Sequence, residues 1–141
     1  MIVLDTNVVS EPLRLHGSPV VRSWLDGQAA ETLYLTATSL SELWLGVEIL
    51  PAGKRRDGLD EALGDIIARL FGSRVLPFDQ RAAKVYAALV VRARTAGRAI
   101  GVADGQIAAI AQVHGFTVAT RDTLPFAAAG LPVINPWSEI T

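Results

Sequence analysis

The sequence predicts an α/β fold, a three-layer α/β/α sandwich around a mostly parallel central sheet. Three observations lead there. Short apolar runs alternate with longer segments of helical spacing along the 141 residues, the pattern of a sheet covered by helices on both faces. The first run, Ile2-Val3-Leu4, is apolar without alternation, as a strand buried on both faces should be. Half of the residues are hydrophobic (50%); that suffices for a sizeable core in a single domain over 1–141 and argues against disorder.

After the first strand, Thr6 to Glu11 reads as a short helical turn stopped by Pro12. Arg14 to Ser18 is a loop. Ser18-Pro19 has cap and first-turn character and opens a helix through about Asp26, with Val20, Val21, Trp24 and Leu25 inward and Gly27 at its end. Thr32 to Thr36 alternates and is rich in β-formers, giving a second strand. A helix follows from about Ser39 to Leu50, closed by Pro51. Gly53 to Gly58, with Lys54, Arg55 and Arg56, reads as a basic connection. Leu59, Leu63, Ile66, Ile67 and Leu70 carry helical spacing, broken at Gly72-Ser73.

Val75 to Phe78 is a short strand, and Asp79 caps a long helix to about Ala96, ended by Gly97. Its apolar residues, from Ala82 to Val91, cover more than one face, so it is either deeply buried or an oligomer contact. Beyond the loop Gly97 to Gly101, a helix over Val102 to His114 is closed by Gly115. Phe116 to Thr120 is the next strand, Leu124 to Ala129 a short helix, and Leu131 to Ile134 a last strand before the tail Asn135-Pro136-Trp137.

Composition removes several function classes. There are no cysteines, which excludes a disulfide framework, thiolate zinc sites and cysteine nucleophiles. Two histidines, His16 and His114, cannot build a histidine-rich metal site. The formal net charge of −1 gives no global basic field, so nucleic acid would have to be held by local Lys and Arg. No apolar run is long enough to span a bilayer, and the N-terminus lacks the pattern of a signal peptide, so a cytoplasmic protein without membrane attachment is expected.

The acids are the informative residues. Asp5 ends the first strand. Glu42 is placed in the first turn of the helix after the second strand, Asp104 near the start of the helix after Gly101, and Asp122 just beyond the strand Phe116 to Thr120. Each also has a purely structural reading: Ser39-Leu40-Ser41-Glu42 matches a capping box, Asp104 suits a helix N-terminus, and Asp122 suits a cap. Yet ligands of parallel α/β sheets gather outside the carboxyl ends of the strands, and all four acids fall on that edge. At ~6 Å and an effective dielectric of ~20, each ionised pair repels by roughly 3 kcal/mol. Such a cluster must share protons or take a cation. Oxygen ligands alone select a hard ion, Mg²⁺ or Mn²⁺, which acidifies a water and steadies a leaving oxygen in phosphoryl chemistry. Thr6, Asn7 and Thr120 are placed to orient Asp5 or the waters, and Arg121 to hold a phosphate.

Taken in order, Ile2-Val3-Leu4-Asp5-Thr6-Asn7, Ser39-x-x-Glu42-Leu43, Ala103-Asp104-Gly105-Gln106-Ile107-Ala108-Ala109-Ile110-Ala111 and Ala119-Thr120-Arg121-Asp122 resemble a PIN-domain protein, above all the VapC-type toxins of type II toxin–antitoxin systems in their FitB-like branch. The likeness runs to Val133-Ile134-Asn135-Pro136-Trp137. Asp-Thr-Asn alone is a weak signal; the ordered set is a strong one. The resemblance implies a PIN-like fold and a metal-dependent endoribonuclease that hydrolyses RNA phosphodiester bonds. In it Asp5, Glu42 and Asp104 match the core acids, Asp122 a fourth position that is Asp or Asn, and Thr120 the hydroxyl supporting the first acid. One departure is the Asp-Phe pair common after the fourth acid, which here is Pro125-Phe126. The resemblance further implies a small antitoxin, usually DNA-binding, whose C-terminal segment covers the nuclease groove, operator DNA reached through that antitoxin, and a homodimer built through helices. The apolar helix Asp79 to Ala96 and the helix bearing Trp44 are the candidate surfaces; plain core packing is the alternative for Trp24 and Trp44.

Rival folds lack their residues. A haloacid-dehalogenase phosphatase needs a second Asp where Asn7 stands. A response-regulator receiver needs a late lysine, whereas only Lys54 and Lys84 are present, and a dinucleotide-binding fold needs a Gly-x-Gly-x-x-Gly loop. The non-enzymatic alternative is an inactive PIN fold serving as a binding or co-repressor subunit, but such a scaffold gains nothing from four mutually repelling acids.

Overall fold

A computed structural model describes residues 1–138. Five strands form one parallel sheet in the order β3-β2-β1-β4-β5: β1 (Ile2–Leu4), β2 (Leu33–Thr36), β3 (Val75–Leu76), β4 (Thr117–Ala119) and β5 (Val133–Ile134). The central strand β1 sets Ile2 opposite both Leu33 and Thr117, and Leu4 opposite Ala119. The chain builds outward on one side of β1, then crosses over to build β4 and β5 on the other. The reversal leaves a crevice at the carboxyl ends of β1 and β4, where α/β sheets bind ligands.

Alternation along β1 divides the core. Leu4 faces a cluster with Val8, Val21, Leu43, Leu63 and Phe71, supplied by α1 (Thr6–Ser10), α2 (Pro19–Asp26), α3 (Ala37–Glu48), α4 (Lys54–Ile66) and the π-helical turn Ile67–Phe71. Val3 faces the other way, onto Leu89, Ile107, Ala108, Phe126 and Leu131, carried by α5 (Gln80–Thr95), α6 (Val102–His114), α7 (Thr123–Ala128) and the approach to β5. These are the three layers expected. Among the described residues no helix is long and apolar enough to cross a membrane.

Local chemistry explains several element ends. The Ser18 hydroxyl accepts from the Val21 amide and Pro19 opens α2; the Asp79 carboxylate accepts from the Ala82 amide at the head of α5. Gly115 closes α6 in the left-handed conformation (φ 69°) that glycine adopts freely.

Four local expectations need correction. The capping box at Ser39 does not form. Strand β2 runs straight into α3, and Thr36 caps the helix by accepting from the Ser39 amide at 3.0 Å. Glu42 therefore lies a turn further in than expected, its carboxylate free for other work. Lys54, Arg55 and Arg56 are not a connection but the start of α4; the high helix propensity of Lys and Arg outweighs the ~1 kcal/mol cost of Gly58, and Arg56 pairs with Glu48 at 2.7 Å. Pro12 does not stop the chain after α1 but sits in the 3₁₀ turn Glu11–Leu13, where its missing N–H costs nothing. Val20 points outward, 41% exposed, while Val21 and Leu25 carry the burial of α2. Trp24 and Trp44 both pack, half-buried, against the first core cluster.

Candidate active site

Asp5 is the first residue beyond β1, and its backbone N–H still donates to the Ala119 carbonyl at 2.9 Å. The sheet thus sets Asp5 beside Thr120. The Thr120 hydroxyl, fully buried, donates to Asp5 Oδ2 at 2.8 Å. Asn7 Nδ2 reaches the same oxygen at 3.3 Å, and the Thr6 amide donates to Oδ1 at 2.8 Å. Asp5 is 5% exposed. Burial pushes its carboxyl up; the bonds from Thr120 and Thr6 pull it down, and the charges of Glu42 and Asp122 push it up again.

The other acids arrive from separate elements. Thr6 donates its hydroxyl not to Asp5 but to Glu42 Oε1, at 2.6 Å, so the turn after β1 holds two carboxylates at once. Asp104 lies in the first turn of α6. Its carboxyl is pushed up to about 6, first by burial and then by the charges of Asp5, Asp122 and Glu42. Asp104 thus feels the charge of each of the other three acids. Asp122 stands at the head of α7 without capping it. Its backbone N–H donates to the Thr120 hydroxyl at 3.0 Å, and the Arg121 N–H donates to Asn7 Oδ1 at 3.4 Å. Thr120 and Asn7 thereby stitch the turn after β1 to the turn after β4.

The donor set fits a hard ion: oxygens only, half of them at the solvent edge, with charge that is unfavourable until neutralised. Among the described residues no group of three or more His, Asp or Glu side chains already closes on one ion. A Mg²⁺ that keeps several of its waters needs no such closure, since one or two direct carboxylates suffice.

Sequence reading missed three residues. Thr38 and Gln106 join α3 to α6, Thr38 Oγ1 donating to Gln106 Oε1 at 3.0 Å. Trp137 lies under the Arg121 guanidinium, 5.2 Å from the ring centroid. Gln106 and Trp137 lie within the stretches that carry the family resemblance, but nothing in a linear sequence names the partner of either. Beyond Glu42 and Thr6, a groove of about 790 Å³ runs between α1, α3 and α4, walled by Leu13, Leu43, Val47 and Leu59, with Arg14 and Arg55 on its rim.

A parallel sheet of this order, with four carboxylates in one field at the carboxyl ends of its strands, defines the class, and the chain belongs to the PIN-domain family, whose model matches residues 2–130. Within it, the chain is 54% identical over 138 residues to the VapC ribonuclease Y4jK of Sinorhizobium fredii, covering 97% of this chain and 98% of that one. It is 49% identical over 139 residues to the toxin FitB of Neisseria gonorrhoeae, covering 99% and 100%. The solved structure of FitAB bound to an IR36 DNA fragment contains a chain of the same fold, with a TM-score of 0.95 and 47% identity over 100% of this chain and 99% of that one.

Proposed function

We propose that this protein is a metal-dependent endoribonuclease, the toxin of a toxin–antitoxin module, which hydrolyses RNA phosphodiester bonds at the crevice beyond β1 and β4. The single observation that carries the reading is that Asp5, Glu42, Asp104 and Asp122 meet beyond the carboxyl ends of the strands, where burial first and then the charges of the other three acids push Asp104 up to about 6. A binding scaffold gains nothing from that repulsion; a cation site does. Asp5 and Asp104 are the proposed principal ligands, with Glu42 and Asp122 completing the site directly or through water, and Mg²⁺ the proposed ion, with Mn²⁺ able to replace it. When bound, such an ion lowers the pKa of a water and offsets charge on the leaving oxygen. The chain's own residues supply position. Thr120 and Asn7 fix the Asp5 carboxylate, Thr6 holds Glu42, and Arg121 offers a guanidinium to a phosphate at the rim.

The ribonuclease reading is supported by the relative named a VapC ribonuclease, the toxin reading by the relative named FitB. An antitoxin partner, and operator DNA reached through it, are supported by the neighbour solved as a FitAB complex on DNA. The groove leading away from Glu42 is the proposed seat of the antitoxin's C-terminal segment. A homodimer through α5 is supported by Val91, 59% exposed on a helix whose Leu89 and Ala93 are buried.

The test is cleavage of single-stranded and structured RNA by the purified chain with Mg²⁺ or Mn²⁺, beside Asp5→Asn. Ion-dependent cutting that the variant abolishes while keeping its fold is the expected result. Cutting by Asp5→Asn at the parental rate would place the chemistry elsewhere.

A further inference from the structure

An arginine next in sequence to a cluster of carboxylates would be expected to fold onto one of them. Arg121 does not. Among the described residues the only ion pairs are Arg14–Glu11 and Arg56–Glu48. The Arg121 guanidinium instead lies over Trp137, which is half-buried against the core cluster of Leu4, Val8 and Ala119. The ring is well fixed. The Thr120 N–H donates to the Ile134 carbonyl at 2.9 Å, which holds the tail beside the turn after β4. The Asn135 side chain then accepts from the Trp137 N–H at 3.0 Å. The backbone of Arg121 is fixed too, through Asn7 Oδ1. Both ends of the stack are thus tied to the framework that positions Asp5.

From this arrangement we infer that Trp137 is a positioning residue for RNA binding: it holds the Arg121 guanidinium off the acids and at the rim of the site, where it takes a phosphate of the single-stranded RNA backbone. The inference rests on the ribonuclease reading above. Two consequences follow from the chemistry. The acids stay free to bind a cation, because the Arg121 guanidinium forms no ion pair with them and lies against a π face instead. The guanidinium keeps N–H donors for phosphate oxygens, since a cation–π contact consumes no conventional hydrogen-bond acceptor.

The experiment measures binding of a fluorescein-labelled, mixed-sequence single-stranded RNA by anisotropy, in the Asp5→Asn chain so that the probe stays intact. Arg121→Met is expected to weaken binding and to flatten the dependence of log Kd on log salt by about 0.7, the loss of one phosphate contact on a single strand. Trp137→Leu is expected to weaken binding by about two- to fivefold, the value of an exposed cation–π contact, with Arg121 still present; Trp137→Phe, which keeps a ring face, should recover most of it. In the Arg121→Met background, Trp137→Leu should do nothing more. In the cleaving chain the loss should fall in KM rather than kcat. Equal losses from Trp137→Leu with and without Arg121, or no loss at all, overturn the inference while leaving the ribonuclease reading intact. Failure of the parent chain to cleave and of the Asp5→Asn chain to bind RNA overturns both.

Discussion

Thr38 Oγ1 donates to Gln106 Oε1 at 3.0 Å, and that one bond ties the helix carrying Glu42 to the helix carrying Asp104. The two acids lie four residues past Thr38 and two before Gln106, so the bond sits within about a turn of each. Gln106→Met keeps the length and removes the acceptor. It should cost about 1 kcal/mol of stability, and weaken Mg²⁺ binding by up to ~10-fold, the low end for a residue that orients ligands without touching the ion. Titration calorimetry with Mg²⁺ beside a thermal melt separates the two effects. Unchanged ion affinity would make the bond a packing detail.

Thr120 is the sharper case, because its hydroxyl touches Asp5 itself. Burial raises the Asp5 carboxyl and this bond lowers it, so Thr120→Val must raise it further. An acid with a higher pKa loses its proton at higher pH, and the acid limb of the cleavage profile should move upward in pH. The Asp122 N–H also loses its acceptor, so a cost of ~1–2 kcal/mol in stability is expected. Thr120→Ser keeps the hydroxyl and should restore the parental profile. A profile that does not move would mean Asp5 does not govern that limb.

Much of this was legible in the chain. Strong local signals placed β1 with Asp5 at its end, and the Ser18 and Asp79 caps, because each depends on neighbouring residues only. What failed were competitions between local signals. Ser39 and Thr36 both offer a helix cap, and the strand end wins because Thr36 is already extended and three residues before the Ser39 amide. Gly53 and Gly58 both punctuate, and only Gly53, with φ 154°, breaks the helix. The sequence places Thr6 to orient Asp5 or the waters; its amide does serve Asp5, but its hydroxyl goes to Glu42, across a separation of 36 residues that no linear pattern encodes. The Arg121–Trp137 stack is hidden for the same reason.

The raised acids make stability depend on pH in a stated direction. The Asp104 carboxyl sits at about 6 in the folded chain against 3.8 for the free group. A raised acid favours the folded state while both forms are protonated, below 3.8, and that advantage is lost as pH climbs through about 6. The ion-free protein should therefore melt at a lower temperature at pH 7 than at pH 5, so far as Asp104 governs. Asp104→Asn should flatten that window and raise the ion-free Tm at pH 7 while removing cleavage. Added Mg²⁺ should stabilise the parent at pH 7 and do less at pH 5, where protons compete. Melts across this window, with and without the ion, check each sign. A Tm that rises steadily from pH 5 to 7 in the absence of ion would contradict the electrostatics of the site.

Gly105 shows how tightly Asp104 is held. A Cβ built there would stand 2.7 Å from Tyr86 Cε2 and 3.3 Å from its Cδ2, and Phe78 packs edge-on against the same ring at 5.9 Å and 90°. Two opposing effects decide Gly105→Ala. Alanine favours the helix by about 1 kcal/mol over glycine; overpacking at a buried contact costs about 1–3 kcal/mol. The packing term wins, so the variant should be less stable by up to ~2 kcal/mol, with α6 pressed away from α5 and Asp104 carried with it. Mg²⁺ affinity should fall more than stability alone explains. Tyr86→Leu removes the ring edge that meets the new methyl group, so adding it to Gly105→Ala should restore ion binding and part of the Tm. Weak ion binding in that double variant, with its fold intact by circular dichroism, would mean the contact of Gly105 with Tyr86 does not set the position of Asp104.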